Sequence, residues 1–143
     1  MGEPDLSFGT QALKGIGKRK IKGTVLKWDG SISFLGDVDP LKGTLTKGDS
    51  VFDLKDVILL FREGAGSTVG SYVVYNLRLY DKAPKAMAMV KADAIITIGC
   101  ILADIPLLNK VPPDMLDSID SGDVMEMDPG TGQVLVWKER RTR

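Results

Sequence analysis

Apolar residues in this 143-residue chain come in short runs, and their spacing separates strands from helices. Asp56 to Phe61 ends in five consecutive apolar residues and reads as a strand; Lys85 to Val90 reads as a second, buried one. Between them Val69, Tyr72, Val73, Leu77 and Tyr80 recur at helical spacing, interrupted only by Asn76, which predicts a helix over 68–80. Ala83-Pro84 marks its end, because proline restricts the residue before it and cannot continue a helix. Asp93 predicts the cap of a second helix running to about Asp104. Ile105 to Leu108 reads as a short strand and Asp114 to Ile119 as a brief helix. Val124–Met127 and Gln133–Val136 flank the turn-rich Asp128-Pro-Gly-Thr-Gly132, the pattern of a hairpin.

Upstream, glycine breaks the pattern. Residues 1–12 read as a loose lead-in, and Leu13 to Trp28 as short strands with a bend at Gly23. Ser31 to Leu35 alternates polar and apolar, as a half-buried strand does. Residues 36–49 read as a long loop with room for one small hairpin. The sum is a single α/β domain over 13–137, with a layered sheet, two main helices and a C-terminal hairpin. Residues 138–143 form a basic tail.

Composition narrows the function classes. Nineteen basic and nineteen acidic residues leave no net charge, which argues against a dedicated nucleic-acid binder. Lys18-Arg19-Lys20 and the tail read as solvated charge. No apolar stretch approaches the roughly 20 residues that cross a bilayer, and Met1 to Asp5 lacks the charged-then-apolar pattern of a signal, so a cytoplasmic protein is expected. Cys100, the single cysteine, lies in an apolar run and reads as a small buried thiol, while Met87 and Met89 read as core fillers. The chain has no histidine, which excludes a Ser-His-Asp triad, a Cys-His pair and a histidine metal site within it. No metal site is expected in this chain.

The segment Gly64-Ala-Gly-Ser-Thr-Val-Gly-Ser-Tyr72 joins a predicted strand to a predicted helix. Such a junction exposes backbone N–H groups at the positive end of a helix dipole, where anions or developing negative charge are favoured. Ser67 stands there, near the expected N-cap, a position that serine also favours for structure alone. A phosphate-binding P-loop would need Gly-Lys-Ser/Thr, and the lysine is missing. A dinucleotide fingerprint would need one residue fewer between Gly66 and Gly70.

That loop, continued through Val73-Val-Tyr-Asn-Leu77 and Ala83-Pro-Lys-Ala86, resembles the swivel domain, or small subunit, of the aconitase X family. Ile32-Ser-Phe-Leu-Gly-Asp-Val-Asp39 upstream and Ile95 to Leu107 downstream agree, in order, so the similarity spans about Leu13 to Val136. The resemblance implies a swivelling β/β/α domain and a hydro-lyase active only with a larger catalytic subunit. That partner would carry an iron–sulfur cluster, with no cofactor bound by this chain. Gly-Ser-Thr-Val-Gly-Ser-Tyr is the archaeal form of the loop, and implies dehydration of mevalonate 5-phosphate to trans-anhydromevalonate 5-phosphate on a modified mevalonate route to isoprenoids. Another hydroxy-acid dehydratase of the family, such as one acting on cis-3-hydroxyproline, or a non-catalytic anion-binding or assembly subunit, stays open.

By the same resemblance Ser67 is the catalytic base, with Gly66 and Thr68 shaping the turn and touching substrate. Lysine is expected just before Gly66-Ser67, where this chain has Ala65; Arg62, three residues earlier, is the candidate substitute. Asp37 and Asp39 are candidates to face substrate or partner, or simply to form turns in a glycine- and proline-rich loop.

Overall fold

Parallel strands buried on both faces form the centre of the protein, which a computed structural model describes over residues 2–9, 15–17 and 19–140. In β7 (Ile58–Gly64) and β8 (Ala86–Met89), Ile58 to Phe61 and Ala86 to Met89 are all buried. Alternate side chains of a strand point to opposite faces, so each strand feeds two cores. Leu59, Phe61, Met87 and Met89 pack with Val74 and Leu77 of α2 (Gly70–Leu79) and with Ile96 and Cys100 of α3 (Ala94–Ala103). Ile58, Leu60, Ala86 and Ala88 pack with Met125, Met127, Val134 and Val136. Those four belong to the antiparallel hairpin of β10 (Val124–Asp128) and β11 (Gln133–Trp137). Two-sided burial is why these central strands show no polar alternation. The layers run antiparallel sheet, parallel sheet, helices: the β/β/α order.

One long strand joins the two β layers. In β3 (Ile21–Ile32), Ile21–Thr24 pair antiparallel with β10, and Val25–Ile32 pair parallel with β7. The full order is β1-β11-β10-β3-β7-β8-β9-β2, with β1 (Leu6–Phe8) at one edge and β9 (Leu107–Leu108) and β2 (Gly15–Ile16) at the other. Gly23 therefore makes no bend. It pairs with Met125, and an added Cβ would lie 3.2 Å from Lys85 Cδ and 3.4 Å from Ile58 Cγ1, so the glycine is there for close packing. The expected lead-in is likewise corrected over Leu6–Phe8, which pair with β11; residues 1 and 10–14 lie outside the described residues.

Two further expectations change. The strand predicted over Ser31–Leu35 ends at Ile32, and Ser33 caps a short helix, α1 (Phe34–Asp37), its Oγ accepting from Gly36 N at 3.2 Å. The loop predicted over 36–49 is largely a small sheet of β4 (Val38–Asp39), β5 (Thr44–Lys47) and β6 (Ser50–Asp53). Lys47 pairs with Ser50 across Gly48-Asp49, a two-residue hairpin turn that needs the positive φ of Gly48 (60°). Val38 and Leu45 anchor this sheet in the helix-side core.

The helices sit where expected, with one rotation. In α2 the buried stripe is Val73, Val74 and Leu77, while Tyr72 and Tyr80 are exposed. Asp93 caps α3, accepting from Ile96 N at 3.0 Å. The brief helix α4 (Pro113–Ser118) buries Met115 and Leu116 on the hairpin side. Cys100 is buried, and burial pushes its thiol up to about 12. Among the described residues no helix is long and apolar enough to cross a membrane.

The expected tail is tied down at its start. Lys138 Nζ donates to buried Asp123 at 2.6 Å, and Asp123 also accepts from Asp120 N and Glu139 N, both at 2.8 Å; residues 141–143 lie outside the described residues. Burial pushes the Asp123 carboxyl up, but Lys138 and the two N–H groups outweigh it and hold it below its ordinary value of 3.8. A carboxyl whose acidity rises on folding stabilises the fold above the unfolded value and stops doing so as pH falls through the folded one. Asp123→Ala should therefore cost about 2–3 kcal/mol at pH 7, and denaturant titrations should show that gap closing as pH drops below 3.8.

Candidate active site

Strands β3, β7 and β8 run parallel, so their C-terminal ends share one edge of the sheet. In open α/β sheets that edge is where ligands bind. Here it brings three segments together: the Ser33 turn after β3, the Gly64–Val69 loop after β7, and Asp93 after β8. A shallow cleft at this edge is lined by Phe34, Gly64, Gly66, Ser67, Asp93 and Ile96, among others. Backbone contacts fix the walls. Ala65 N donates to Ile32 O at 3.0 Å, and a Cβ on Gly64 would collide with Ile96 and lie 2.9 Å from Asp93 Oδ2.

Ser67 is half-buried at the apex of the loop. The helix itself starts at Gly70, so Ser67 is not its N-cap; Val69 holds that place without a side-chain bond. Ser67 instead caps the turn leading into α2. Its Oγ accepts from Val69 N at 3.1 Å, and its carbonyl accepts from Gly70 N at 3.0 Å. The displacement is chemically useful, because a backbone N–H at the positive end of α2 is aimed at the hydroxyl oxygen. Gly66 sets the bend with φ of 93°, a left-handed conformation that side chains resist. A Cβ there would also lie 3.1 Å from Ser33 Oγ.

Of the other residues singled out by sequence, Thr68 is exposed beside Ser67, and its carbonyl accepts from Ser71 Oγ at 3.2 Å. Arg62 is not brought to Ser67. Its guanidinium is bound to Asp29, with N–O distances of 2.8 and 2.9 Å, and lies 3.9 Å from Asp117 of α4. Asp39 forms a turn, accepting from Leu41 N at 3.0 Å and Lys42 N at 3.2 Å. Asp37 faces inward, accepting from Ser33 N at 2.9 Å and from Lys47 Nζ at 2.7 Å. Burial raises its carboxyl, but Lys47 and the Ser33 N–H more than offset this and hold it below 3.8.

Sequence reasoning missed Ser33 and Lys47 as neighbours of the site and gave Asp93 only a capping role. Ser33, a capping residue placed directly before the apolar pair Phe34-Leu35, was a signal that could have exposed the first. Among the described residues no group of three or more acidic or thiol side chains is placed to hold a metal.

Comparison with known proteins agrees with this architecture. The chain is 41% identical over 120 residues to the phosphomevalonate dehydratase small subunit of Thermococcus sibiricus, covering 82% of this chain and 90% of that one. It is 40% identical over 124 residues to the protein of the same name from Pyrococcus abyssi, covering 85% and 93%. The crystal structure of holo-form aconitase X from Thermococcus kodakaraensis superposes with a TM-score of 0.79 at 36% identity, over 88% of this chain and 98% of that chain. Residues 11–136 match the family model of the aconitase X swivel domain. With its three layers and its serine loop at the shared strand edge, the chain belongs to the aconitase X swivel-domain family.

Proposed function

We propose that this chain is the small subunit of a hydro-lyase that dehydrates mevalonate 5-phosphate to trans-anhydromevalonate 5-phosphate together with a larger partner. The observation that carries this reading is Ser67, set at the start of α2 with Val69 N on its oxygen, in a chain that covers most of relatives named phosphomevalonate dehydratase small subunit.

The reaction is a β-elimination. A base removes a proton from the carbon next to the carboxylate, and the C–H electron pair becomes the double bond. The hydroxyl on the adjoining carbon departs as hydroxide, which becomes water with the proton that the base then releases. Ser67 is the base, acting as an alkoxide. A free serine hydroxyl is far too weak for this, so preorganised donors in a water-excluding site must favour its ionised form. The Val69 N–H and the α2 dipole supply part of that field. With Ala65 beside Ser67 and Arg62 engaged by Asp29, the remaining positive charge comes from the partner. The iron–sulfur cluster, whose Lewis-acid chemistry serves the leaving hydroxyl, belongs to that partner too.

A second feature supports assembly. From Ala94 to Ala103, α3 carries no charge, and it exposes Ile98, Ile101 and Leu102 by 48%, 55% and 55%. A helix apolar on all sides is ordinarily covered. The test offers the oxygen-free complex mevalonate 5-phosphate and cis-3-hydroxyproline separately. Turnover of the first alone is expected, and turnover of the second alone would overturn the substrate assignment.

A further inference from the structure

We infer that Lys47 is a positioning residue for Ser67, acting through Asp37 and the Ser33 turn; this rests on the role of Ser67 proposed above. Lys47 ends β5 in the small sheet and is remote in sequence from the serine loop. Its side chain is only 19% exposed, and its ammonium lies 2.7 Å from Asp37 Oδ2 and 5.4 Å from the centre of the Trp28 ring. Lysine pays a large entropy cost when held in one conformation, so a fixed and mostly covered one calls for a role.

The same Asp37 oxygen accepts from Ser33 N at 2.9 Å, so one carboxylate ties the lysine to the turn. Ser33 in turn takes Gly36 N on its Oγ, which fixes that hydroxyl in place. Directly behind it runs the backbone of Gly66, close enough that a Cβ would sit 3.1 Å from Ser33 Oγ. The preceding residue, Ala65, is bonded to Ile32 O, one residue before Ser33. The bonds thus run from Lys47 through Asp37 to the Ser33 turn. Its neighbour Ile32 holds Ala65 of the serine loop, with no room beside Ser33 Oγ for a side chain on Gly66. Gly66 holds a left-handed bend with no side chain of its own, so its geometry depends on what backs it.

Breaking the ion pair would leave the partly buried Asp37 without its counter-charge, and the turn it holds would loosen. Displacements of about 1 Å transmitted to a reacting group can cost on the order of 10²-fold in rate. This link gives the small sheet a function: it is the anchor that stiffens the wall of the cleft.

The experiment compares Lys47→Met, Lys47→Arg and Asp37→Asn in the assembled complex. Lys47→Met should lower kcat on the order of 10- to 10²-fold with KM changed by less than about twofold. Lys47→Arg should restore most of the rate, because it keeps the charge. Asp37→Asn keeps an acceptor for Ser33 N but loses the ion pair, so it should match Lys47→Met, and the double variant should be no worse than either. Amide exchange over 31–36 and 62–66 should quicken in Lys47→Met. Wild-type kcat in Lys47→Met, a kcat loss without faster exchange, or failure of Lys47→Arg to rescue would each overturn the inference. A wild-type complex that dehydrates nothing would instead sink the proposed function, and exchange over 62–66 would then decide the coupling alone.

Discussion

Ser67→Ala should lower dehydration by on the order of 10²–10⁴-fold in the assembled complex, the contribution of a positioned base. Two effects of this substitution must be separated. Removing Oγ deletes the acceptor for Val69 N, a turn cap worth about 1 kcal/mol. That loss is small beside the 5–15 kcal/mol typical of a whole domain, so the variant should fold and assemble. Chemistry suffers far more, because the nearby serine hydroxyls are engaged elsewhere: Ser33 Oγ accepts from Gly36 N, and Ser71 turns its hydroxyl to the Thr68 carbonyl. Co-elution with the partner together with steady-state rates distinguishes the two. A variant that assembles and keeps more than about a tenth of the rate would remove Ser67 from the role of base.

Phe61→Ala should be the most destabilising of the substitutions considered, by about 3–5 kcal/mol. Phe61 is fully buried in β7 and meets Phe34 edge to face, with ring centres 6.1 Å apart and planes at 65°. Truncation leaves a cavity under the α2–α3 layer, where tight packing prevents collapse: a Cβ on Gly99 would already lie 2.9 Å from Val74 Cβ. At this chain length such a loss lowers the melting temperature by roughly 10–17 °C. Because Phe34 also lines the Ser67 cleft, activity should fall at temperatures where the variant is still folded. Thermal denaturation followed by circular dichroism checks the first effect, and kinetics at low temperature the second.

Legibility in the sequence followed how local the physics was. The central strands announced themselves as continuous apolar runs, the C-terminal hairpin by its turn, and α3 by its Asp93 cap. For α2 the element was legible but its orientation was not. Tyr72 and Tyr80 share helical spacing with Val73 and Leu77, and only packing on Cys100, Gly99 and Met87 selects Val74 for burial instead. The small sheet was hidden by its polar strands, Thr44–Lys47 and Ser50–Asp53, which gain stability by docking Leu45 rather than from their own pattern. Gly23 read as a bend because a sequence does not show the approach of Lys85 and Ile58. At the site, the Gly64–Ser71 loop was visible as the junction of a strand and a helix. The Lys47–Asp37–Ser33 contact set was not, since it depends on β5 folding back beside the loop.

The proposed function requires this chain to supply chemistry that its partner lacks. The most direct measurement follows the new carbon–carbon double bond by proton NMR when mevalonate 5-phosphate is given to the oxygen-free partner alone, to this chain alone, and to both. The role proposed for Ser67 predicts product only from the mixture. Product from the partner alone would contradict it, because Ser67 would then be dispensable, and so would an intact, cluster-loaded mixture that leaves the substrate unchanged.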